Sequence, residues 1–223
     1  MEPLYIEYDL DYIKDRYSLR KPQAESLDIL HQIIKETSLT ADYSIKELLE
    51  QIHNLYPTLS SFERDFPSFC FALATGVGKT RLMAAFITYL FTNLGIKHFF
   101  VLAPNLTIYN KLSCDFGDPS YEKYLFRGID IFEQNPPRIV TGDTYKEEVA
   151  GQQSISQSIE INIFNISKIN AETRGGKIPQ IKRLSEFIGQ SYFDYLSSLD
   201  DLVLLMDESH HYRADRGMTV INE

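Results

Sequence analysis

The residues best suited to chemistry are Lys79 and Thr80, which follow two closely spaced glycines, Gly76 and Gly78, at the end of an apolar run. In Phe71-Ala-Leu-Ala-Thr75-Gly-Val77-Gly-Lys-Thr80 the glycines permit a tight turn that exposes successive backbone N–H groups to an anion. A helix starting just after them adds its positive dipole end. Thr75, Gly76, Val77 and Gly78 would then wrap a phosphate chain, Lys79 would reach the β- and γ-phosphates, and the Thr80 hydroxyl would face Mg2+. The expected ligand is a nucleoside triphosphate. The pattern departs from G-x-x-x-x-G-K-[ST] because Leu73 stands where the first glycine is expected, and an ordinary strand-to-helix turn is the alternative.

A second pair of residues supports the phosphate reading. Leu202-Val-Leu-Leu-Met206 is an apolar run of the kind a fully buried strand carries, and it ends in Asp207 and Glu208. Asp207, at the strand's C-terminal edge, would hold the same Mg2+ as Thr80, while Glu208 would polarise the attacking water as general base. Two adjacent histidines follow, His210 and His211. With no further ligands near in sequence they make a poor zinc site, and His210 is placed instead at the rim of the nucleotide site.

These residues need a scaffold, and the chain has the length for one. Its 223 residues suffice for one large domain, or one domain with an added helical piece. Two cysteines, Cys70 and Cys114, supply neither a disulfide framework nor a zinc cluster, and Cys70 is expected to pack inside a buried strand. No apolar run approaches membrane-span length, and the N-terminus lacks a secretion signal, which points to the cytoplasm. A net charge of −9 argues against a nucleic-acid partner, but the charge is uneven. Residues 79–127 and 160–190 are net positive, whereas the other segments are neutral or acidic.

Along the chain, residues 1–18 mix aromatic and acidic side chains without a period and are expected to be irregular, with at most a short strand. A helix opens at Pro22, with Leu27, Leu30, Ile33 and Ile34 at helical spacing. Gln23, in its first turn, offers the donor and acceptor that match the edge of adenine, or is simply an exposed helix-start residue. A second amphipathic helix is expected around Ile45 to Ile52. After the phosphate loop comes a long helix with Leu82, Met83, Phe86, Ile87 and Leu90 on its apolar face, ending near Gly95.

Further strands are read at 98–105, 138–141, 161–166 and 202–206, with a short helix within 117–137 and an amphipathic helix over 184–199. Strands alternating with helices give a doubly wound α/β sheet whose ligands lie beyond the strand C-terminal ends. Asn105, Thr107 and Lys111 fall there and could hold nucleic-acid phosphate, or form a plain connection. The polar stretch from Tyr145 to Ser158 is expected to be a mobile loop or a weak hairpin. Arg174-Gly-Gly-Lys177 with Lys182 and Arg183 reads as a basic loop, facing DNA or solvent.

Taken together, Leu19-Arg-Lys-Pro-Gln23, Ala74-Thr-Gly-Val-Gly-Lys-Thr80, Val101-Leu-Ala-Pro-Asn105, Ile163-Phe-Asn-Ile-Ser-Lys168 and Asp207-Glu-Ser-His210 resemble the ordered motifs of superfamily 2 DEAD/DEAH-type helicases. The forms Ala-Pro-Asn105, Phe-Asn-Ile-Ser-Lys168 and Leu-Met-Asp-Glu-Ser-His-His-Tyr212 are most similar to the helicase/nuclease subunit of type III restriction enzymes. In that family the phosphate loop commonly lacks the first glycine. The resemblance implies an α/β RecA-like P-loop NTPase lobe, with a mostly parallel sheet, helices on both faces and an N-terminal helical segment. It implies ATP and Mg2+ as cofactors and duplex DNA as the track. By residue it carries Lys79 and Thr80 to phosphate and metal, Asp207 to metal, Glu208 to catalysis, and Gln23 with Arg20 to adenine. Asn105, Lys111 and Lys168 become candidates for nucleic acid, and a methyltransferase subunit becomes the expected partner.

On this reading residues 1–66 form an N-terminal extension with the adenine-side motif, and 67–223 a RecA-like lobe that is incomplete at its C-terminus. Such motors need a second RecA-like lobe, which supplies arginines to the transferred phosphate, and this family adds a nuclease domain. Neither follows Asp207 here, so the chain is expected to be part of a longer protein. Two other readings stand beside a DNA motor lobe: an RNA helicase lobe with the same ATP chemistry, and an inactive fragment that serves as an interaction module.

Overall fold

The apolar runs pair into one parallel sheet. In the computed structural model, which describes residues 8–37, 44–145, 158–166 and 191–207, β1 is His98–Ala103, β2 Arg138–Thr141, β3 Glu160–Asn165 and β4 Leu202–Met206. Their order across the sheet is β2-β3-β1-β4, and every pairing is parallel. The register aligns Val101 with Ile163 on one side and with Leu205 on the other. The C-terminal ends of the strands therefore share one edge of the sheet, where ligands of doubly wound folds lie.

Side-chain alternation builds two cores from this sheet. Phe99, Val101, Ala103, Ile161 and Ile163 point to one face, joined by Val203 and Leu205. Phe100, Leu102, Val140 and Phe164 point to the other, with Leu204 and Met206. The first face is covered by α4 (Lys79–Leu94), α5 (Leu106–Gly117) and α6 (Asp130–Gln134), and the second by the short α7 (Tyr192–Ser197). Helices on both faces of an all-parallel sheet make this an α/β RecA-like fold. Helix α4 is the central rod: every residue from Leu82 to Thr92 is buried, more than the one-sided apolar stripe anticipated. It stops at Gly95, whose φ of 72° is the left-handed cap.

The N-terminal helices α1 (Leu10–Arg16) and α2 (Lys21–Glu36) pack on α4 and join its core through Ile13, Tyr17, Leu27 and Leu30. The expectation of an irregular N-terminus is corrected for residues 10–16, because burial of Ile13 and Tyr17 organises a helix that periodicity does not reveal. Helix α3 (Ile45–Leu55) forms a satellite cluster with Ile33 and Phe62.

A second correction concerns the run before the phosphate loop. Residues 67–74 form no strand, and Cys70 is exposed. The physical reason is pairing: the segment forms no ladder with any strand of the described sheet, and an unpaired apolar run is not a strand. Phe71 and Leu73 nevertheless pack on the first core, with the Phe71 and Phe86 rings 5.0 Å apart. The readings for 146–157 and 167–190, the latter including 184–190 of the helix expected over 184–199, lie outside the described residues. Among the described residues no helix is long and apolar enough to cross a membrane.

Candidate functional site

The loop before α4 adopts the backbone that its glycines permit. Gly76 has φ 79° and Gly78 φ 100°, both in the left-handed region that other residues avoid. The Val77 N–H reaches the Ala74 carbonyl at 3.4 Å, closing a turn across Thr75 and Gly76. Gly78 is the N-cap of α4, and the helix start has no side-chain cap. At that position a helix presents donors and a positive dipole end to an anion. Thr75 and Gly76 are exposed, while Val77, Gly78, Lys79 and Thr80 are half-buried. A turn of left-handed glycines opening onto an uncapped helix fits a phosphate chain.

Helix α2 holds this loop from behind. Gln23, in the first turn of α2, is 1% exposed, so both ends of its amide require partners. Its Nε2 donates to the Gly78 carbonyl at 2.8 Å, and its Oε1 accepts from the Arg20 N–H at 2.8 Å. Arg20 adds a longer contact, Nη1 to the Gly76 carbonyl at 3.4 Å. Farther along the same two helices, His31 Nδ1 and the Tyr89 hydroxyl lie 2.9 Å apart. Four of the expected nucleotide residues, Arg20, Gln23, Gly76 and Gly78, are thus brought together across more than fifty residues of sequence. They meet through the back of the loop.

The remaining candidates gather at the strand C-terminal edge or lie outside the described residues. Asp207 follows β4 directly, and its N–H extends the ladder to the Leu102 carbonyl at 3.4 Å. Beyond the end of the adjacent β1, Asn105 caps α5 by accepting from the Ile108 N–H at 2.9 Å. Lys111, one turn farther along α5, pairs with the carboxylate of Asp115, which is buried. Both expected nucleic-acid residues of α5 therefore have work within the protein. Glu208, His210 and Lys168 lie outside the described residues.

Two residues of this edge stand outside the expected site residues. Asn165, the last residue of β3 and part of the Ile163-Phe-Asn-Ile-Ser-Lys168 motif, is fully buried in a strand that also carries Glu160 and Asn162. Asp143, in the turn after β2, accepts from the Tyr109 hydroxyl at 2.9 Å and ties that turn to α5. Nothing in the sequence marks that second contact.

Comparison with known proteins places the arrangement in a family. The family model described as "Type III restriction enzyme, res subunit" matches residues 16–223. The probable type III restriction-modification enzyme HindVIP Res subunit of Haemophilus influenzae is 31% identical over 160 residues. That alignment covers 68% of this chain and 27% of the relative, so the chain corresponds to a minor part of that protein's length. No solved structure matches. A parallel sheet, a glycine loop opening onto α4, an acid at the end of β4 and a family match over most of its length make the chain a member of the type III restriction enzyme Res-subunit family.

Proposed function

We propose that the chain is the ATP-binding lobe of an ATP-dependent DNA translocase in a type III restriction-modification system. The lobe works in the cytoplasm, on duplex DNA, joined to a second RecA-like lobe and a nuclease domain, with a methyltransferase subunit as partner. The observation that carries this reading is the loop itself, with two left-handed glycines leading into an uncapped helix that begins with Lys79 and Thr80.

In this reading the backbone of Thr75 to Gly78 surrounds the phosphates, and Lys79 offsets charge on the β- and γ-phosphates. Thr80 and Asp207 would hold Mg2+, a hydroxyl and a carboxylate being the oxygen donors that this hard cation takes. Held there, Mg2+ would supply positive charge against the phosphates. Glu208 accepts a proton from the attacking water, and His210 at the rim couples the nucleotide to a neighbouring element. Arginines from the second lobe complete the site, and such residues are worth about 10³–10⁵ in rate in related systems.

Titration of a fluorescent ATP analogue with Mg2+ against the chain and its Lys79→Ala variant tests the reading. Binding by the parent that Lys79→Ala loses is the expected result. Equal binding by both chains, or binding by neither, would overturn it for this lobe.

A further inference from the structure

Strand β4 carries the acid of the proposed metal position, yet its own sequence does not say where along β1 it should sit. Leu202-Val-Leu-Leu-Met206 is apolar at every position, so a slip of one residue or of two still sets apolar side chains on both faces. A strand with one polar face resists a one-residue slip, because the polar side chains would turn into the core. β4 has no such face. In the described sheet it pairs with β1 alone, and all five of its residues are half-buried.

A polar contact supplies what the pattern lacks. Asp201, directly before β4, accepts from the Lys97 N–H through Oδ2 at 2.8 Å and from His98 Nδ1 through Oδ1. One carboxylate thereby grips two consecutive residues at the start of β1. The other pairings of the sheet carry a polar contact at the same end. Arg138 meets Glu160 at 3.0 Å between β2 and β3, and Asn162 Nδ2 donates to the Phe99 carbonyl at 3.3 Å between β3 and β1.

What depends on the Asp201 grip lies at the far end of β4, where Asp207 leaves the strand with its N–H on the Leu102 carbonyl. A one-residue slip would shift Asp207 by about 3.3 Å and turn it to the other face, and a two-residue slip would shift it by about 7 Å. Metal–ligand distances hold to within about 0.2 Å. We infer that Asp201 is a positioning residue that pins the register of β4 and so delivers Asp207 to the metal position of the nucleotide site. This rests on the nucleotide site proposed above and adds to it a residue at the opposite end of the sheet. Its signature is selective, because the phosphate loop opens onto α4 and is not built on β4. The metal-dependent part of nucleotide affinity falls and the metal-independent part stays. A residue that only stabilised the fold would move both together or neither.

The test uses the 223-residue chain and a non-hydrolysable ATP analogue, titrated by calorimetry with Mg2+ and with EDTA. Asp201→Ala removes both contacts. Its ratio of the two affinities is expected to fall about three- to tenfold as the chain divides between registers, with the EDTA affinity unchanged. Val140→Ala, which hollows the second core from β2 at the opposite edge, controls for lost stability and should keep the parent ratio. In an Asp207→Ala background, adding Asp201→Ala should leave the ratio where Asp207→Ala alone puts it, because both act through one carboxylate. An unchanged ratio in Asp201→Ala, or an equal loss with and without Mg2+, would overturn the inference.

Cross-strand amide NOEs without ligand read the register itself. The parent should show one set, aligned as His98 with Leu202, and Asp201→Ala a second set displaced by one or two residues. A single parental set in Asp201→Ala would also overturn the inference. If the parent binds no nucleotide, or gains nothing from Mg2+, the nucleotide proposal fails, and the NOE comparison still decides whether Asp201 pins the strand. If Asp201→Ala does not fold, His98→Ala, which keeps the Lys97 contact, carries both measurements with a smaller fall in the ratio.

Discussion

A methyl group added at Gly76 or at Gly78 would meet different surroundings, although both glycines have positive φ. At Gly76 nothing lies within 4 Å of the added carbon, so Gly76→Ala meets only the strain of a left-handed backbone, about 1 kcal/mol. At Gly78 the carbon would stand 2.9 Å from Gln23 Nε2 and push away the donor that its own carbonyl uses. Gly78→Ala should therefore cost about 2–4 kcal/mol, the backbone strain plus a broken buried hydrogen bond. Urea denaturation of the two variants checks the difference, and equal losses would show that Gln23 yields freely. In a Gln23→Ala background the cost of Gly78→Ala should shrink, because the two residues are in direct contact. This coupling was not legible from sequence. The glycine spacing and the helix start were, but the partner of Gly78 stands fifty-five residues away, and Gln23 by itself fits an adenine contact or an exposed helix start equally well.

At the scale of elements, an apolar run became a strand only where a neighbour pairs with it. The runs at 98–103, 160–165 and 202–206 became strands in one ladder, whereas 67–74, with comparable apolar content, did not. A strand is a paired object, and pairing is decided by what lies alongside. Cys70 is exposed for the same reason. The second face of the sheet depends on a small element, α7, which is joined to β3 by a buried polar contact. The Tyr192 hydroxyl donates to Asn162 Oδ1, while Asn162 Nδ2 donates to the Phe99 carbonyl at 3.3 Å and to Glu160 Oε1 at 3.0 Å. Both residues are essentially inaccessible to water. Tyr192→Phe keeps the packing but strands an acceptor in the core, and should cost about 1–3 kcal/mol by chemical denaturation. A neutral effect would mean that water replaces the hydroxyl at this position.

Across the described molecule, the N-terminal helices are tied to the sheet through α4. Tyr17 of the turn after α1 is buried, and its hydroxyl lies 2.7 Å from Thr88 Oγ1 in the middle of α4. Burial drives the Tyr17 phenol well above the usual tyrosine range, against a smaller opposing effect of the Thr88 hydrogen bond. Burial also raises Tyr8 and Tyr124, which belong to or pack against the same core. An acid whose pKa is higher in the fold than in the unfolded chain contributes stability that is fully present below the unfolded value. That contribution is lost as pH climbs from about 10, where unfolded tyrosine begins to ionise, toward the folded value. Phenolate absorbance and far-ultraviolet circular dichroism followed together through alkaline pH should show the buried tyrosines ionising only as helix is lost. Tyr17→Phe should remove part of the alkaline sensitivity, because one fewer phenol gains charge on unfolding. If the absorbance of the buried phenols rose while α4 remained intact, residues 8–37 would be opening alone, as a separate unit laid against the lobe. A single coincident transition would mean that α1, α2 and the phosphate loop fold as one body, and that the α2 side chain holding Gly78 is as firmly placed as the loop it holds.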